Sequence, residues 1–177
     1  EGLFRCAWLE TYICMLKNRR KEARAATEAI SALLPQFDAP MRANHFIRLL
    51  LLSLELGDLE TASECVEEIA RVSDSLDAYQ MIHHQAALAA YHAAKRAPGE
   101  AGRRFEIVLA SLRRIELSTP LLADALTIFA RHILIDHPQM KERALEQARG
   151  IFSKLGSARR LEHLEAEFPS DIDITSS

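Results

Sequence analysis

The sequence predicts an all-α fold, and three observations support that prediction. Ala and Leu, which favour helices, supply 27 and 25 of the 177 residues, whereas Val, which favours strands, supplies only 3. Apolar residues recur with the 3.6-residue period of an α-helix along most of the chain. Short turns interrupt this pattern at a nearly constant spacing. Together these features exclude all-β and α/β folds.

The periodicity predicts nine helices, each bounded by residues that favour turns. In chain order their expected limits are 3–17, 21–34, 40–56, 58–73, 75–96, 99–117, 120–136, 139–155 and 157–168. The breaks inside hairpins are Asn18-Arg19-Arg20, Gly57-Asp58, Pro98-Gly99 and His137-Pro138; those between hairpins are Pro35 to Pro40, Ser73 to Ser75, Ser118 to Pro120 and Gly156-Ser157. Residues 169–177 lack a core pattern, so we expect a disordered tail there.

The breaks inside hairpins repeat regularly. They fall at positions 18, 57, 98 and 138, so that successive breaks are separated by about 40 residues each time. A repeated hairpin that cannot bury its apolar face alone stacks on the next one. We therefore predict a right-handed α-solenoid of about four antiparallel helix hairpins, forming one domain over residues 1–168.

The second hairpin shows most clearly how the residues suit their positions. Gly57 falls where its first helix ends, and Asp58 can cap the next helix. Helix 40–56 is apolar nearly all round from Phe46 onward, which indicates a helix packed between neighbours. Small residues are expected where helices approach closely, at Ala23, Ala62, Ala90, Ala101 and Ala144.

The turn Leu56-Gly57-Asp58-Leu59-Glu60-Thr61-Ala62 resembles the Leu-Gly-Asp-Tyr-Glu-Lys-Ala turn of tetratricopeptide repeats. The chain departs from that family at Leu50, where a small residue is preferred, and at Ser53, where Tyr is preferred. Its repeat is also longer than that of the family, at about 40 residues against about 34 residues. Longer repeats of this kind are similar to those of large bacterial regulators, including LuxR-type ATP-binding activators and cyclases. The resemblance covers roughly residues 40–168.

The resemblance implies a non-catalytic interaction or scaffold module of a larger cytoplasmic signalling or transcription-regulating protein. Its protein or peptide partner would lie in the concave groove lined by the first helix of each hairpin. The alternative is a sensor of a small ligand or peptide signal that controls an upstream effector such as a transcription activator. Because the chain opens on helical pattern without an initiator Met, we expect it to be part of a longer protein.

Alignment at Gly57-Asp58 assigns the groove positions of the family to residues of helix 40–56. The equivalent residues of the other hairpins are found about 40 residues before or after them. The predicted groove residues are Trp8, Tyr12, Asn44, Ile47, Leu51, Gln85, His92, Lys95, Ile128 and His132. The same stepping also selects Arg5, Met15, Leu54, Leu88, Ala125 and Ile135. Such an amphipathic surface suits an apolar helix or an extended peptide. The alternative is that these residues pack against a neighbouring helix or a missing upstream repeat, because apolar rows at helical spacing are usually core.

Composition and motifs exclude several other functions. The net charge of −3 gives no general attraction to nucleic acid or anionic membranes. Self-association through the ends of the repeat array is a further interaction that the sequence allows. No phosphate-binding loop, zinc-hydrolase or nucleophile-elbow motif is present, so we expect neither an enzyme nor a cofactor. His132 and Asp136 are too few ligands for a metal site. The three cysteines include no CxxC pair and indicate a reducing compartment.

Negative charge is concentrated in the second half of the second hairpin. Four acidic residues, with Arg71 beyond them, share one face of helix 58–73: Glu60, Glu64, Glu67 and Glu68. A solvated outer face is the simpler interpretation, and docking of a basic partner segment is the alternative.

Overall fold

In the computed structural model, residues 10, 11, 14 and 19–169 are described, and every regular element among them is helical. The eight α-helices of this part of the chain are α1 (Arg20–Leu33), α2 (Ala39–Leu56), α3 (Leu59–Arg71), α4 (Ala78–Ala94), α5 (Pro98–Leu112), α6 (Pro120–His132), α7 (Pro138–Lys154) and α8 (Ala158–Glu167). Short 3₁₀ turns, Leu34–Gln36 and Ser73–Ser75, precede α2 and α4. The all-α prediction is thus confirmed. Apart from residues 10, 11 and 14, the predicted helix 3–17 lies outside the described residues, as does the tail after Pro169.

The predicted helix limits agree with the structure at most ends, and the largest differences have a local cause. Helix α5 ends at Leu112, well before the predicted limit, where Arg113 and Arg114 begin a turn. Helix α6 ends at His132 because the extended conformation of Ile133, with ψ of 136°, interrupts the helical backbone. Apolar residues continue past both ends, so the apolar periodicity predicts helices that are longer than those observed.

The turn between α2 and α3 forms as the sequence predicts. Gly57 adopts the left-handed conformation, with φ of 71°. The N–H of Asp58 donates to the carbonyl of Ser53 at 2.8 Å, and that of Gly57 donates to Leu54 at 3.1 Å, which together close a Schellman motif. The Asp58 carboxylate accepts from the Thr61 N–H at 3.1 Å and caps α3. Helices α2 and α3 pack closely against each other beyond this turn.

The chain contains two compact units, Glu1–His84 (the N-terminal unit) and Gln85–Ser177 (the C-terminal unit), and the boundary between them falls inside α4. The interior of the N-terminal unit is built from α2, whose Ile47, Leu49 and Leu50 are at most 1% exposed. In the C-terminal unit the rings of Phe105 and Phe129 stack with centroids 4.7 Å apart, and both are fully buried. Each unit therefore has an apolar interior of its own.

The small residues expected at close approaches are buried without exception. Ala23, Ala62, Ala90, Ala101 and Ala144 are all 0% exposed. Next to Ala101, Gly102 lies so close to α7 that an added Cβ would stand 3.1 Å from the Met140 sulfur. Short side chains at these positions let neighbouring helices pack with little separation.

Ion pairs in the C-terminal unit join helices that are two places apart in the chain. Two pairs connect α7 with α5 or the residues after it, and two connect α8 with α6. They are Arg143–Glu106 at 2.6 Å, Lys154–Glu116 at 3.0 Å, Arg160–Asp124 at 2.7 Å and Arg131–Glu167 at 2.8 Å, over separations of 37, 38, 36 and 36 residues. Close packing joins α6 to α7, and the ion pairs add side-chain contacts between helices that are one repeat apart in the sequence.

Candidate functional site

The predicted groove residues lie on three described helices and on one segment outside them. Trp8 and Tyr12 fall outside the described residues. Asn44, Ile47 and Leu51 lie on α2 in the N-terminal unit, and of these three only Asn44 is partly exposed. Because Ile47 and Leu51 are 0% and 4% exposed, they are core residues and not part of an accessible surface.

The accessible side of α2 is displaced from the predicted row. Asn44, Arg48, Leu52 and Glu55 keep at least partial exposure, and they recur at the spacing of one helical face. Only Asn44 is common to this stripe and the prediction. The prediction of Ile47 and Leu51 as groove residues was wrong because the most apolar face of a packed helix is the face that it buries.

On α4, Gln85 lies against the partner helix of its own hairpin. The Gln85 side-chain oxygen accepts from Arg104 on α5 at 3.0 Å. Arg104 also donates to Glu100 at 3.0 Å, and Arg103 donates to the same carboxylate at 2.6 Å. These hydrogen bonds, above all the one from Arg103, hold the pKa of Glu100 at about 2. Gln85 therefore helps to join α4 to α5 through an Arg-Glu network.

His92 lies further along α4 than Gln85 and is partly exposed. Burial lowers the pKa of its imidazole, and Glu100 opposes that shift. Its ring meets that of Tyr91 edge-on, with centroids 5.4 Å apart. The exposed Lys95 places its ammonium 5.4 Å from the centre of the Tyr91 ring. Tyr91 thus contacts both His92 and Lys95, and both of these side chains keep accessible surface.

On α6, the predicted row divides into a buried and an accessible part. Ile128 is 1% exposed and belongs to the interior of the C-terminal unit. His132, at the end of the helix, is partly exposed. Ile135, in the turn that follows, is 94% exposed, far more than the other large apolar side chains described. The end of α6 and the turn after it therefore expose a polar ring and a large apolar side chain within four residues of sequence.

The arrangement of titratable groups shows no metal centre among the described residues, because no three His, Cys, Asp or Glu side chains converge. Cys14 and Cys65 are buried free thiols. Burial, reinforced by nearby carboxylates, raises the pKa of Cys65 to about 12, so this thiol does not ionise near neutral pH. In the described part of the chain, no helix combines the length and the apolar character needed to cross a membrane.

Sequence reasoning missed a pair of cavities in the N-terminal unit, between α1 and α3. They have volumes of about 270 and 440 Å³ and share Ser31, Thr61 and Glu64 as lining residues. The acidic face of α3 was visible in the sequence, and so was Ser53 as a departure from the repeat pattern. Neither feature indicates a cavity until α1 is placed beside α3.

Comparisons with known proteins place the chain in no family. A search against protein-family models finds no match, and a search of curated proteins finds none either.

Proposed function

We propose that the chain is a non-catalytic interaction module, a right-handed α-solenoid of helix hairpins resembling tetratricopeptide repeats, which binds a protein or peptide segment. The observation that carries this proposal is the set of ion pairs over 36 to 38 residues in the C-terminal unit. They link equivalent helices of successive hairpins, as stacking of a repeat of about 40 residues requires. Stacked hairpins expose an extended surface that suits recognition of a chain segment.

The partner surface is proposed at the accessible members of the predicted rows in the C-terminal unit. His92, Lys95 and His132 offer polar contacts, and Ile135 offers an apolar one. A partner that covers Ile135 removes its 94% exposed side chain from water, while the histidines set the register. Ile128 is buried and is not part of this surface.

The alternative, a sensor with a pocket at these same rows, has less support. Such a pocket would be lined by Trp8, Tyr12, His92 and His132, of which Trp8 and Tyr12 lie outside the described residues. The two cavities described above are lined by neither His92 nor His132. Placement of the module in a cytoplasmic signalling or transcription-regulating protein remains part of the proposal and rests on the resemblance alone.

Selection of a displayed peptide library on the whole chain tests the interaction function. We expect selected peptides to lose affinity about tenfold with the His92→Ala, His132→Ala double variant, and similarly with Ile135→Asp. The matched control is His163→Ala, which removes an exposed histidine on α8 outside the predicted rows. Selection of no peptide, or equal loss with the control, would contradict the proposed surface. Unchanged melting temperatures show that the variants remain folded.

A further inference from the structure

The two cavities of the N-terminal unit form one cleft, which we call the α1–α3 cleft. The first cavity, of about 270 Å³, is lined from α1 by Thr27, Glu28 and Ser31, and from α3 by Thr61 and Glu64. The second, of about 440 Å³, continues from the shared residues toward the start of α2. These volumes are close to the range of about 300–1,000 Å³ that is usual for small-molecule sites.

The first cavity is negatively charged. Glu28, Asp58 and Glu64 line it, and the described lining residues include no basic side chain. Glu28 and Glu64 make no ion pair with any side chain that the structure describes. The neighbouring Cys65, whose pKa is raised first by burial and then by Glu64, Asp58 and Glu68, lies in the same negative field. The cavity therefore favours a cation.

The hydroxyl groups of this cavity present lone pairs because their protons are already donated. Thr27 Oγ1 donates to the carbonyl of Ala23 at 2.8 Å, and Ser31 Oγ donates to that of Thr27 at 3.2 Å. Thr61 Oγ1 donates to Asp58 Oδ2 at 3.0 Å. What remains toward the cavity is a set of acceptors, which a ligand with several N–H donors satisfies.

Ser53 gives a second, independent sign of a ligand. Its side chain is 1% exposed, lines the first cavity and makes no hydrogen bond. A buried hydroxyl without a partner is unfavourable, so such groups are uncommon in folded proteins. A donor group in the cavity would supply the missing partner.

The second cavity differs in chemistry from the first. Leu34, Phe46 and Leu49 provide an apolar wall. Arg71 is engaged with glutamates of its own helix. Arg42 also lines this cavity, and its buried Nε makes no hydrogen bond. Glu64, Glu67 and Glu68 also line the second cavity, so its charges nearly balance, whereas the charged side chains of the first cavity are all acidic. A positive head group is therefore favoured in the first cavity, and an apolar body lies in the second.

We propose that the α1–α3 cleft binds a small amphiphilic organic cation, with an ammonium or guanidinium group at Glu28, Ser53 and Glu64. Its alkyl or aromatic body lies along Phe46, which is partly exposed in the second cavity. An ammonium offers three N–H donors and a guanidinium five, which matches the acceptors of the first cavity. The cleft lies in the N-terminal unit and shares no residue with the proposed partner surface, so either proposal can fail without the other.

Titration with hexylamine, followed through backbone amide chemical shifts of the whole chain, tests the site. At pH 7 we expect saturable shifts in α1 and α3. Hexanol and hexanoate, which keep the apolar body without the positive charge, should bind at least about tenfold more weakly. Equal binding of hexylamine and hexanol would overturn the proposal, as would binding of an arginine-rich peptide without binding of hexylamine.

Three variants locate the head group. Glu64→Gln and Glu28→Gln remove one negative charge each from exposed side chains, and we expect each to weaken hexylamine binding about tenfold. Ser53→Ala should weaken it by a smaller factor. The matched control is Glu60→Gln, which removes the same charge from α3 outside the cleft and should leave the affinity unchanged. If Glu60→Gln weakens binding as much as Glu64→Gln, a diffuse negative field and no defined site explains the binding.

Discussion

Replacement of Ser53 by alanine should stabilise the protein, an unusual expectation for a buried position. The Ser53 hydroxyl is buried without a hydrogen bond, and the desolvation of such a group costs about 1–3 kcal/mol. Alanine also adds up to about 0.5 kcal/mol of helix propensity in the interior of α2. The backbone carbonyl of residue 53, which accepts from Asp58 at 2.8 Å, is unaffected. Because the loss of packing is small, we expect a net gain in the free energy of unfolding of about 1–2 kcal/mol.

Urea unfolding and the melting temperature measure this gain. For a chain of this size, 1 kcal/mol corresponds to about 2–4 °C. The control is Thr27→Val, which removes a buried hydroxyl that does make a hydrogen bond, to the Ala23 carbonyl at 2.8 Å, and should destabilise the protein by about 1 kcal/mol. If Ser53→Ala destabilises the protein as Thr27→Val does, the Ser53 hydroxyl has a partner in solution and the reasoning about it is wrong.

Three further predictions concern the turns, the histidines and the interior. Gly57→Ala should lower the free energy of unfolding by about 1–2 kcal/mol because an alanine at φ of 71° is strained, although its Cβ would meet no atom within 4 Å. Gly150→Ala, in helical conformation, should raise the free energy of unfolding by about 0.5–1 kcal/mol. Denaturant midpoints that move in the same direction for both variants would contradict this reasoning. Burial holds the pKa of His45 at about 4, below its usual 6.5, so between these values the unfolded chain binds a proton that the folded protein excludes. The free energy of unfolding should therefore fall by about 1–2 kcal/mol from pH 7 to pH 5. The fall should be smaller in His45→Gln. Phe129→Ala should cost about 3–5 kcal/mol by calorimetry or urea titration, because a fully buried ring stacked on Phe105 is lost, and a cost below about 1 kcal/mol would refute that packing.

Much of the local structure could be predicted from the sequence because its causes are local. The Gly57-Asp58 turn formed as expected, since a left-handed glycine and a capping carboxylate act within a few residues. Ala101 and the other small residues are buried as expected, since only a short side chain tolerates a close helix. The ends of α5 and α6 were overestimated because apolar residues continue into the turns that follow.

The candidate sites depended on contacts that no local pattern contains. The sequence placed Ile47 and Leu51 on a partner surface, yet both are buried because the neighbouring helices cover the most apolar face of α2. It identified the glutamates of α3 as a solvated face, but only the placement of α1 beside them makes a cleft with Glu28 and Glu64.

By itself, the sequence determined that the chain is helical, where most of its turns lie and which small residues are buried, because backbone propensity, capping and side-chain size act at short range. Tertiary structure alone decided which side of each helix meets water. It also left Ser53 without a hydrogen bond and joined Asp124 to Arg160 across 36 residues. Those outcomes depend on which helices become neighbours, which is set by packing of the whole unit and not by any single segment.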